Sequence, residues 1–111
     1  MTIETLDRTR WKDFFDRVTK ALENSQVSIE VSGLSFAQQF ETESTRLFGF
    51  AYDPRADVLE VATEAVDHAI PGPRRVAVEM RGTELESIWV DCDDERSERI
   101  RMLHPLAITG P

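Results

Sequence analysis

His68 is the residue best placed to do chemistry, because imidazole exchanges protons near neutral pH and this one lies outside any tight turn. Asp67 stands beside it, and a neighbouring carboxylate can favour the imidazolium or select a tautomer. Adjacent residues of an extended segment point to opposite sides, however, so Asp67 need not touch His68. Catalysis would also need a nucleophile or a second acid within reach, and no motif marks one. The imidazole is therefore expected to satisfy backbone groups in an irregular connection, residues 64–73, where no ladder does so. If that connection instead shapes a ligand pocket, Asp67 and His68 would line it together with the aromatics Tyr52, Phe48 and Phe50.

The other reactive residue types argue against activities rather than for one. Asp91-Cys92-Asp93-Asp94-Glu95 has the acidity of a calcium loop but lacks the glycine at the sixth position and the bidentate Glu at the twelfth. It reads as a solvated turn. Cys92 is the only cysteine, so no intrachain disulfide forms, and its acidic neighbours disfavour the nucleophilic thiolate. One Cys and two distant His cannot supply a structural zinc site. No Gly-rich phosphate loop, Gly-x-Ser-x-Gly elbow or His-Glu-x-x-His is present. No catalytic residue, metal or cofactor is expected. Arg74-Arg75 and Arg96, Arg99 and Arg101 could hold an anion if they converged, but Arg99 and Arg101 more simply form the exposed face of an outer strand.

The elements that position these residues follow from hydrophobic spacing. Trp11, Phe14, Phe15, Val18 and Leu22 form one apolar stripe, which predicts a helix over 9–23 with Thr9 as N-cap. Its stripe is expected to pack on a sheet of its own chain. From 26 to 103 the chain reads as strands: 26–32, 35–42, 45–52, 58–63, 74–80, 85–90 and 98–103. In 35–42, Phe36 and Phe40 oppose Gln39 and Glu41. In 45–52, Phe48, Phe50 and Tyr52 share one side and Leu47, Gly49 and Ala51 the other, which predicts a strand covered on both faces. Pro71-Gly72-Pro73 is a rigid corner, and Ile100 and Met102 oppose Arg99 and Arg101. The tail, 104–111, holds two prolines and a glycine and is expected to be irregular.

The order and spacing of short motifs resemble a family of small bacterial proteins, domain of unknown function 5335. They are Trp11 with Phe14-Phe15, Ile29-Glu30-Val31-x-Gly33, Gln39-x-Glu41, Leu47-x-Gly49-x-x-x-Asp53, Asp57-x-Leu59-x-Val61 and His68-x-Ile70-x-x-Pro73, then Leu85–Val90. The resemblance spans about residues 11–103. It departs at Asp93-Asp94-Glu95, where the family tends to an Asp-Gly turn. It implies no activity.

The 111 residues are expected to make one α+β domain: an N-terminal helix on a curved, mainly antiparallel meander of six to seven strands, in the manner of a half-barrel. With 41% hydrophobic and 31% charged residues the composition is globular. A net charge of -8 opposes nucleic acid and anionic membrane as partners. No apolar run reaches the ~18–20 residues of a membrane helix, and Glu4 and Asp7 break any signal-like stretch, so a cytoplasmic location is expected. The functional expectation is a non-enzymatic interaction or accessory module that forms homodimers or binds another protein. The alternative is a small-ligand binder or enzyme with its pocket near 64–73.

Overall fold

The computed structural model describes residues 2–33, 36–93 and 95–108, and for 36–43 the backbone course alone. Among them are eight strands: β1 (Thr2–Leu6), β2 (Gln26–Gly33), β3 (Phe36–Asp53), β4 (Val58–Thr63), β5 (Asp67–Pro71), β6 (Pro73–Arg81), β7 (Glu84–Cys92) and β8 (Ser97–Ala107). One helix, α1 (Trp11–Ala21), follows a 3-10 turn at Arg8–Arg10. The α+β class holds, but the count exceeds six to seven through two additions and one merger. β1 carries no readable alternation, since only Leu6 of its residues is buried. β5 arises inside the connection expected to be irregular. The strands expected at 35–42 and 45–52 are one continuous β3. The expected faces of Phe36, Phe40, Gln39 and Glu41 lie outside the described side chains, as do Asp94 and tail residues 109–111.

The helix is shorter than 9–23, and Thr9 is not its cap. Arg10 precedes α1 without a side-chain cap, while the Asp7 carboxylate accepts the Thr9 N–H and caps the 3-10 turn instead. The apolar stripe is buried as expected through Trp11, Phe14, Phe15 and Val18. Nor is the tail irregular at its start. β8 runs on to Ala107, with Leu106 opposite Leu85, and Leu106 and Ile108 join the core.

All strand pairs are antiparallel, in the order β1-β6-β7-β8-β2-β3-β4-β5. The order is linear, so the sheet is not a closed barrel, and β1 and β5 are its edges. It comprises two meanders, β2–β5 and β6–β8, joined where β2 pairs with β8. β5 and β6 stand far apart in this order, yet only Gly72 separates them in the chain. One residue spans only a few ångströms, about 3.8 Å per Cα step, so the sheet must curl until β5 approaches the β6 region. Gly72 makes the corner with φ +62°, and a Cβ there would meet Asp93 Oδ2 at 2.7 Å. Its N–H donates to Asp57 O at 2.9 Å and its carbonyl accepts from Asp93 N at 3.0 Å.

β3 does the bending. Its first part pairs with β2 as far as Arg46, and its second part pairs with β4. A register shift between Leu47 and Gly49 marks the change. An extra residue in one strand breaks the period of two. Leu47 therefore points inward, Phe48 is 51% exposed, and Phe50 and Tyr52 return to the core. This overturns the expectation that Phe48 shares a covered face with Phe50 and Tyr52.

Beyond Arg46, α1 takes over beside β3. The Thr19 hydroxyl accepts the Phe50 N–H at 2.9 Å and donates to Phe15 O at 2.8 Å. A helix side chain thus satisfies a strand N–H that β2 no longer reaches. Phe15 lies 5.1 Å from Phe50, centroid to centroid, and Trp11 meets Tyr52 edge-on at 5.3 Å.

Candidate functional site

His68 lies in β5, opposite Val61 of β4, which in turn lies opposite Phe50 of β3. Directly opposed residues share a face, so Phe50, Val61 and His68 form one inward row. Tyr52, Leu59 and Ile70 form the next. Sequence order hides these rows, because they depend on register. Asp67 falls on the outer face and is exposed, as alternation requires. Phe48 lies outside, with Arg46 5.4 Å from its ring centre. Of the residues singled out, the fold therefore places His68, Phe50 and Tyr52 on one face and separates them from Asp67 and Phe48.

Among the described residues, His68 meets one that the sequence did not mark. Its Nε2 contacts Oε1 of Glu98, in a short hydrogen bond and ion pair. Glu98 is on β8, four strands away in the sheet order, and reaches His68 because the sheet curls. Its side chain is 0% exposed, and that of His68 is 11% exposed. The second carboxylate oxygen lies 3.4 Å from Arg96 Nε, an ion pair whose angles are not those of a hydrogen bond. Arg96, Glu98 and His68 thus form a line of alternating charge capacity through the interior. A carboxylate this deep survives only with cationic or hydrogen-bonding neighbours. The one clue in the sequence was position: Glu98 occupies the alternation slot of Ile100 and Met102, the inward side of β8.

The surface by β5 is shallow. A depression of about 250 Å³ is lined by Glu60, Val61, Ala62, Asp67, His68 and Ala69. None of the aromatics lines it. Among the described residues no group of three His, Cys, Asp or Glu is placed to hold a metal ion. Cys92, expected in a solvated turn, is buried, because the end of β7 is paired opposite Pro73.

A second polar cluster gathers at Tyr52, near the end of β3. The Tyr52 hydroxyl accepts from Arg8 at 3.0 Å and donates to Asp57 at 2.8 Å. Arg8 also donates to Pro73 O at 3.0 Å and stacks over Trp11 at 4.4 Å. Burial, then the bond to Asp57, pushes the Tyr52 phenol above its ordinary range. Burial acts against the Arg8 charge, but Asp57 and Tyr52 outweigh it and hold the guanidinium more firmly protonated than usual.

Residues 2–111 match a family of unknown function, DUF5335. The chain belongs to that family. An uncharacterized protein of Aquifex aeolicus (strain VF5) is 31% identical to it over 106 residues, 95% of each chain. No solved structure matches the chain. The family extends beyond the motif span read in the sequence, to include β1 and the end of β8. No helix among the described residues is long and apolar enough to cross a membrane.

Proposed function

We propose that this chain is a non-enzymatic interaction module of the bacterial cytoplasm that pairs with a second copy of itself. The observation that carries this reading is Trp89. It is 38% exposed on the outer face of β7, opposite Ala77 of β6 and Arg99 of β8. Arg99 stacks on the indole at 4.6 Å and lies 3.7 Å from Glu79, so the ring sits in a fixed frame. Trp and Arg are the residue types that anchor protein interfaces. Meanwhile α1 is committed to β3. Two-fold homodimers are the commonest closed assemblies. The commitment of His68 to a fully buried Glu98 supports a structural rather than a catalytic role for the histidine.

Light scattering across a dilution series to roughly micromolar protein, a range where standard-size interfaces span bound and free, tests the reading. A dimer that becomes a monomer on Trp89→Ser is expected. A monomeric mass at every concentration refutes it. One observation favours the alternative of a ligand binder near residues 64–73: a His–carboxylate pair stands behind the depression at β5. A thermal-shift screen over metabolites and divalent metals, with a hit abolished by His68→Gln, would favour that reading over self-association.

A further inference from the structure

We infer that the His68–Glu98 contact is a proton-operated latch on edge strand β5. β5 is held in the sheet by one ladder, to β4. Ile70 anchors it in the core, and His68 adds this side-chain contact to β8. Both ends of the strand are pinned, by the Gly72 bonds to Asp57 and Asp93 on one side and by the Thr63–Val66 bonds on the other, so any loosening is confined to the strand between them. An imidazolium facing a buried carboxylate is held by charge as well as by a hydrogen bond, and a neutral imidazole by the hydrogen bond alone. The contact therefore weakens as pH rises through the imidazole titration.

Arg96 makes this a switch rather than a rupture. When His68 loses its proton, Glu98 keeps the Arg96 guanidinium at 3.4 Å, so β8 retains a compensated charge and only β5 is loosened. Among the described residues, the charged groups on the imidazole's side are Glu98 from β8 and Arg96 beyond it. β4 places Val61 opposite. The remaining carboxylates nearby, Glu60 of β4 and Asp67 of β5, are exposed on the outer side. Loosening β5 uncovers Ile70, which is fully buried when the latch is closed, and the ladder edge of β4. An unpaired strand edge is a template for another strand. The latch thus lets a proton control access to that edge.

Amide hydrogen exchange tests it, with each rate corrected for intrinsic base catalysis. Between about pH 6 and about pH 8.5, either side of the ordinary imidazole value of about 6.5, protection of the β4-bonded amides within Asp67–Ile70 should fall about tenfold or more, while amides of β7 stay level. His68→Gln, which hydrogen-bonds but cannot titrate, should flatten the profile. His104→Gln, at the exposed second histidine on β8, should leave it unchanged. Glu98→Gln should also flatten it, and if that variant does not fold, the His68→Gln comparison still decides. Protection of β5 that does not change with pH overturns the latch. So does a pH profile that survives His68→Gln.

Discussion

Gly49→Ala tests how the helix is seated on β3. A Cβ at position 49 would lie 2.8 Å from Thr19 Cγ2. Carbon atoms sit comfortably at about 3.5–4.0 Å, so close to 1 Å must be found. Thr19 has little freedom to give it. It is β-branched within a helix, and its hydroxyl is engaged by the Phe50 N–H and Phe15 O. If Thr19 rotates, the Phe50 N–H loses its acceptor, at about 1–3 kcal/mol. If α1 shifts instead, the overpacking cost is about 1–3 kcal/mol. Against either stands a gain of about 0.4–1 kcal/mol from restricting the unfolded chain. The expected net loss is roughly 1–2 kcal/mol in urea unfolding. Thr19→Ser removes Cγ2 and keeps the hydroxyl, so in that background Gly49→Ala should cost nothing or stabilise. The two changes should therefore be strongly non-additive. An equal cost in both backgrounds, or a neutral Gly49→Ala in the parent, would refute this account of the helix–strand contact.

Phe14→Ala should cost about 3–5 kcal/mol in denaturant unfolding, the range for a buried phenylalanine, and a loss under about 1 kcal/mol would mean that the stripe does not support the fold. His68→Ala should lower stability by about 1–3 kcal/mol by stranding part of Glu98, with Arg96 limiting the loss; no change would show that the contact contributes nothing. Tyr52 is the one tyrosine, so phenolate absorbance reports it alone. Its pKa is raised in the folded state, so its contribution to stability is complete below about pH 10 and is lost as pH rises through the folded value. Titration of the folded protein at or below the free-phenol pH would contradict the burial of Tyr52 and its bond to Asp57.

The α+β class, the apolar stripe of α1, the β4 span, the Gly72 corner and the inward set Ile100 and Met102 were legible in the chain. Each rests on a period of two or 3.6, or on a turn residue, and these are local properties. β1 was not legible, because an edge strand exposed on both sides needs no apolar alternation. β5 was not, because residues 64–73 hold turn-forming types that the ladder to β4 overrides. The bulge after Leu47 sent Phe48 outward while periodicity alone kept it with Phe50 and Tyr52. His68 was marked by its chemistry, yet its partner could not be: 30 residues separate it from Glu98. Side-chain type states what a residue can do. Only the curl of the sheet, set by β3 and by the single residue between β5 and β6, decided which carboxylate it meets and that the meeting takes place out of water.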